Sequence, residues 1–258
     1  MARTYLVTGA ASGIGRAAAA RLRGRGHTVI GADLEGADIT ADLATAEGRT
    51  ALVARATELS GGLLDAVVAC AGIAAFDPLT IRVNHFGAVA TLEGLRPLLA
   101  ASAAPRAVVV SSVASIHPAD EALVAAALSG DEDAAVTTAQ AAVDRGEGRV
   151  IYGSSKQSVA RWVRRTAATE DWAAAGIALN AVAPGTVVTP MTRPMIDDPQ
   201  TRAVVDGAVP MPLNGHAAPE QVAPLLEWLT SAENTHVTGQ VVFVDGGADA
   251  VLRGDRTW

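Results

Sequence analysis

The chain has 258 residues, half of them hydrophobic and 3% aromatic, with 27 acids against 20 bases for a formal net charge of −7. That length suits one large α/β domain with a sizeable core, and the composition excludes a disordered chain. An acidic chain with no basic stripe is a poor partner for nucleic acid or an anionic membrane, and a single cysteine, Cys70, forms no internal disulfide.

The opening residues, with no apolar run or small-residue cleavage site, read as a strand over 5–7 rather than a signal peptide. A glycine turn and a helix over 14–23 follow. Strands are predicted at 28–32, ending at Asp33, near 37–39, and at 65–69, with a helix over 44–59 between the last two. A long helix over 83–101 precedes a valine-rich strand at 106–111. Strands at 178–182 and 241–244 complete the set. The uncharged stretch 172–192 is broken by Asn180, Pro184, Gly185 and Pro190, so it reads as a helix end, a buried strand and a loop rather than a membrane span. Near-continuous apolar strands alternating with helices predict one α/β domain over 1–258, a doubly wound parallel sheet covered on both faces. With the lone cysteine and no leader, a cytoplasmic location is expected.

Gly9-Ala10-Ala11-Ser12-Gly13-Ile14-Gly15 lies between the first strand and first helix. Three glycines at that spacing are weak evidence alone. In this context they let the backbone approach a pyrophosphate while the helix N-terminus offers free amides. Asp33 stands 18 residues past Gly15, where a carboxylate accepts from ribose hydroxyls and repels a 2′-phosphate; no arginine occupies position 12 or 34 to offset that. The cofactor expected is therefore NAD. Asp42 reads equally as a contact for the adenine amino group or as a helix N-cap.

Tyr152 and Lys156 stand at i and i+4 on one helix face. Lys156 is the only lysine; 19 arginines carry the remaining positive charge. An ammonium near a tyrosine lowers the phenol's pKa from about 10 and makes it a usable acid or base. Ser112, after the valine strand, faces the same crevice beyond the strand ends, or bonds its own loop.

Together these residues resemble the short-chain dehydrogenase/reductase family. The resemblance is carried by the 8–15 loop, Asn84, Ser112, Tyr152 with Lys156, Pro184-Gly185 followed by Thr189, and Asp245-Gly246-Gly247. It implies a Rossmann-like fold and the interconversion of a secondary alcohol and a ketone. Tyr152 is then the acid/base, Lys156 the holder of the nicotinamide ribose, and Ser112 the guide for the substrate oxygen. Asn84 keeps a helix kinked around a relay water, and Thr189 with the backbone near Val187 holds the carboxamide. The expected cofactor-binding set is Gly9, Ser12, Gly13, Ile14, Gly15, Asp33, Leu34, Asp42, Leu43, Ala71, Gly72, Tyr152, Lys156, Pro184, Gly185, Val187 and Thr189.

Two departures stand out. Ala69-Cys70-Ala71-Gly72 lacks the asparagine usual before Ala-Gly, which puts some polar contacts of the sheet in question. Between Ser112 and Tyr152 lie 39 residues, and the excess, about 118–148, reads as two alanine-rich helices broken at Ser129-Gly130-Asp131. Such an insertion resembles the subgroup of bacterial 3α-hydroxysteroid dehydrogenase/carbonyl reductases, which implies a homodimer through the helix near 221–229 and the last strand. Met191 and Met195 suit an adaptable apolar pocket or plain loop packing. His117 lines that pocket or sits at the surface. The five histidines have no metal spacing, and Cys70 reads as a small buried residue rather than a nucleophile. An NADP-dependent ketoreductase and a non-catalytic dinucleotide sensor are the rival readings.

Overall fold

The apolar runs pair as one parallel sheet in the computed structural model, which describes residues 2–256. In chain order the strands are β1 (Thr4–Thr8), β2 (Thr28–Asp33), β3 (Ile39–Thr40), β4 (Ala66–Ala69), β5 (Arg106–Val110), β6 (Ala178–Pro184) and β7 (Val241–Val244). They lie in the order β3-β2-β1-β4-β5-β6-β7, every neighbouring pair parallel. The order reverses between β1 and β4, and a crevice opens beyond the carboxyl ends of the strands there.

Alternation along the strands sorts the core into two layers. Leu6, Val67, Val109 and Leu179 face one side, where α2 (Ala46–Ser60), α4 (Ala88–Ala100) and α7 (Val150–Thr166) supply Leu52, Leu92, Leu95 and Val159. Val7, Val68, Val108 and Val182 face the other, covered by α1 (Gly13–Gly24) and α10 (Pro219–Leu229) through Leu22, Leu226 and Leu229. Each fully buried leucine or valine contributes about 1.5–3 kcal/mol. The remaining helices are the short α3 (Leu79–Ile81), α5 (Glu121–Ser129), α6 (Glu132–Asp144), α8 (Arg193–Asp197), α9 (Pro199–Ala208) and α11 (Ala248–Arg253).

Residues 118–148 hold the two predicted helices. Asp120 caps α5 by accepting from the amides of Ala122 and Leu123, and Asp131 caps α6 by accepting from Ala134. Leu123, Ala127, Ala135, Ala139 and Ala142 form a third cluster with Ile81, Phe86 and Ile151, which seats the insertion beside α3 and α7.

Three elements differ from expectation. The short strand is Ile39–Thr40, because the Asp38 carboxylate instead accepts from the Gly31 amide at 2.7 Å. Helix α2 starts at Ala46 with Thr45 as its cap, so Asp42 does not cap it; Asp42 accepts from the Ala44 amide in the preceding turn. The long helix is divided, with Arg82–Gly87 wound as a π-helix before α4. Such turns occur frequently at functional sites. Among the described residues no helix is long and apolar enough to cross a membrane.

Candidate active site

The strand ends surround a cleft enclosing about 350 Å³. At one end, β1 turns into α1 through a loop where a Cβ on Gly15 would lie 2.2 Å from the Gly9 carbonyl oxygen; only glycine lets the turn close. No side chain caps the N-terminus of α1, so its first amides remain available to an anion. Asp33 ends β2 beside that loop. One of its oxygens accepts from the Ala11 amide at 2.9 Å and the other from the Leu34 amide at 2.8 Å, leaving lone pairs for hydroxyl donors. Asp42 and Leu43 form the adjoining wall.

The missing asparagine is replaced by a different tie. Thr8 Oγ1 accepts from the amides of both Cys70 and Ala71 at 3.0 Å, joining the ends of β1 and β4 across the crevice. Cys70 lies on the cleft, but burial pushes its thiol up to about 12, far from a thiolate at neutral pH.

At the other end, Ser112 follows β5 while Tyr152 and Lys156 project from α7. Burial raises the Tyr152 pKa above its ordinary value, and the neighbouring Ser112 hydroxyl draws it partly back. The lowering expected from Lys156 is not what acts here. Lys156 Nζ lies 5.9 Å from the Tyr152 ring centroid and donates to the Val110 carbonyl at 2.9 Å. Burial brings Lys156 itself down to about 8, so it still carries its charge at neutral pH. Ser111 fixes the helix to the strand by donating to the Lys156 carbonyl at 2.9 Å.

Asn84, within the π-helical turn, does not line the cleft but braces it. Its Oδ1 accepts from the Ile73 amide at 2.8 Å, and its Nδ2 donates to the Ile73 carbonyl at 2.9 Å and to Ser155 Oγ at 3.0 Å. After β6, Thr192 Oγ1 donates to the Val187 carbonyl, accepts from the Thr189 amide at 3.0 Å and lies 3.3 Å from the Thr189 hydroxyl. Among the described residues no group of histidine, cysteine and acid side chains could hold a metal.

A family model described as enoyl-(acyl carrier protein) reductase matches residues 9–249. The 3-alpha-hydroxysteroid dehydrogenase/carbonyl reductase of Comamonas testosteroni is 36% identical over 96% of this chain and 97% of its own. The chain belongs to the short-chain dehydrogenase/reductase family. A further member, the cis-4-hydroxycyclohexanecarboxylate dehydrogenase of Sinomonas cyclohexanicum, is 32% identical over 96% of this chain and 97% of its own. The crystal structure of the 3-alpha-hydroxysteroid dehydrogenase from Pseudomonas sp. B-0831 complexed with NADH superposes with a TM-score of 0.91 at 40% identity, covering 98% of this chain and 99% of that one.

In this short-chain dehydrogenase/reductase, the cleft brings together Ser112, Met191 and every residue of the expected cofactor set, from Gly9 to Thr189. It leaves out two residues expected in the substrate pocket. Met195 sits in α8, and His117 follows the 3₁₀ turn Val113–Ile116 with its Nε2 enclosed and unpaired, away from the cleft. Leu79, Val83 and Thr192 line the cleft without having been singled out. Leucine, valine and threonine are common, and nothing in their spacing marks them.

Proposed function

We propose that this protein is an NAD(H)-dependent oxidoreductase that interconverts an apolar, alicyclic secondary alcohol and its ketone. The observation that carries the reading is the convergence of Ser112, Tyr152 and Lys156 at one end of a cleft whose other end holds a glycine turn and Asp33. The groups present fit the dinucleotide. The open amides of α1 suit a pyrophosphate, the Asp33 carboxylate suits ribose hydroxyls and opposes a 2′-phosphate, and Val187 with Thr189 suits an amide. The relative solved with NADH supports the same choice.

When bound, nicotinamide supplies or accepts the hydride. The chain's own groups manage the oxygen. Ser112 and Tyr152 present two hydroxyls to it, Ser112 orienting and Tyr152 moving the proton. In reduction, the raised pKa of Tyr152 keeps the proton in place until the substrate oxygen gains charge. In oxidation, Ser112 favours the phenolate against the effect of burial. Lys156, fixed by its bond to the Val110 carbonyl and lining the cleft, would hold a ribose hydroxyl of the bound dinucleotide.

Leu79, Val83 and Met191 contribute apolar side chains to the cleft that Tyr152 lines. Relatives named for a hydroxysteroid and for a hydroxycyclohexane carboxylate support an alicyclic substrate. Initial rates across steroid, terpenoid and cyclic ketones, followed by NADH absorbance and repeated with NADPH, test the reading. Turnover of an apolar cyclic ketone with NADH is expected; a clear preference for NADPH, or binding of NADH with no turnover across the panel, contradicts it.

The proposal includes a homodimer in the cytoplasm. Cys70 is the only cysteine, which suits a reducing compartment. Edge strand β7 leaves all four of its apolar residues half-buried, and Trp228 on the adjoining region is 40% exposed. A second copy would cover both, and light scattering is expected to give twice the chain mass; a stable tetramer contradicts the dimer.

A further inference from the structure

The insertion carries one carboxylate that is tied to the cofactor cleft through an arginine. Glu132, the first residue of α6, accepts from Arg49 Nη1 at 2.6 Å and Nη2 at 3.0 Å, and its Oε1 also accepts from Arg82 Nη1 at 2.8 Å. Arg49, on α2, is only 12% exposed. Its remaining donors are committed to backbone: Nε to the Leu43 carbonyl at 2.7 Å, and Nη2 to the carbonyls of Arg82 at 3.2 Å and Ala44 at 3.4 Å. Leu43 and Asp42 form the cleft wall beside Asp33. The same wall leans on the π-helical turn, since a Cβ on Gly87 would lie 2.9 Å from Leu43 Cβ and 3.0 Å from its carbonyl oxygen.

We propose that Glu132 and Arg49 are positioning residues for the adenosine half of the dinucleotide, the insertion bracing the Asp42–Leu43–Ala44 wall through this ion pair. The inference rests on the NAD reading given above. Its physics is that of a nearly buried guanidinium. A planar fork of five donors can hold a carboxylate on one side and carbonyls on another, and it stays buried only while its charge is matched. Burial raises the Glu132 pKa, but the bonds from Arg49 outweigh that and hold it below its ordinary value, so the pair is ionised at neutral pH. With Glu132 neutralised, Arg49 gains by turning toward water, and Leu43 and Ala44 lose the donors that fix them. Ser112, Tyr152 and Lys156 belong to the β5 end and α7, which Arg49 does not touch.

Glu132→Gln keeps the shape and removes the charge. Equilibrium titration of NADH fluorescence, with AMP and reduced nicotinamide mononucleotide as separate ligands, divides the two halves of the site. The expected result is that NADH and AMP both bind about tenfold more weakly, the size of one lost charge-assisted hydrogen bond. Reduced nicotinamide mononucleotide keeps its affinity, and kcat at saturating NADH is unchanged. Glu121→Gln, which breaks the exposed Arg161 pair on the same insertion, leaves AMP affinity unchanged. Arg49→Lys keeps a charge for Glu132 but loses the fork to Leu43 and Ala44; it carries the same expectations should Glu132→Gln not fold. Wild-type AMP affinity in a folded variant overturns the proposal. So does an equal loss for both half-ligands, which would mean general loosening. Failure of the wild-type protein to bind NADH or AMP at all refutes the cofactor reading itself, and this inference with it.

Discussion

Lysine and arginine carry the same charge, but only lysine is a compact point charge that responds strongly to burial. This chain uses arginine at nineteen positions and lysine at one, and that one lies 5% exposed against the Val110 carbonyl, brought down to about 8. A guanidinium would need more donors satisfied than this depth provides. Lys156 and Tyr152 were legible because their types are rare here and their spacing sets one helix face. Asp33 was legible from its distance to the glycine loop. Thr192 and Leu79 were not, because their places depend on how a loop closes. The same limit explains His117 and Met195, which sit near site residues in sequence but do not line the cleft. The acid/base tuning was legible only in part. Lysine was the evident partner for the phenol, whereas the group that lowers the Tyr152 pKa is Ser112, and burial outweighs it.

Among the elements, strand alternation and the insertion's two capped helices could be read directly from the sequence, but the π-helical turn could not. Apolar periodicity gives the same stripe whether a short turn closes at i+4 or i+5, so residues 83–101 read as one helix. The turn is held from within. His85 Nδ1 pairs with Ser158 Oγ at 2.9 Å, beside the Asn84–Ser155 contact, so two polar links bind it to the catalytic helix. Burial brings His85 from 6.5 down to about 4, which makes a stability prediction with a definite sign. Below pH 6.5 the unfolded chain takes up a proton that the folded chain refuses until about pH 4. Stability from this group is therefore complete above 6.5 and lost as pH falls toward 4, by about 3 kcal/mol in all. Urea unfolding at a series of pH values should show this loss, and His85→Gln should flatten it over that window. An equally steep acid loss in the variant would contradict the assignment.

At the scale of the molecule, the doubly wound sheet explains why residues from 8 to 192 meet at one crevice: all seven strands run parallel, so their carboxyl ends open on the same side. The insertion adds to one flank without disturbing that order, and its Glu132 pairs with Arg49, which bonds the Leu43 carbonyl of the cleft wall. Fold and glycine turn together make a dinucleotide site, but the same fold hosts many reactions, so the activity rests on what stands at the nicotinamide end. There, on the proposed function, Tyr152 moves the proton. The direct test is Tyr152→Phe, which keeps the ring and removes only the hydroxyl. NADH should bind with nearly unchanged affinity, while ketone reduction falls by roughly a thousandfold or more, the scale of a lost general acid. Reduction within a few-fold of the wild-type rate, with the cofactor bound, would contradict the mechanism.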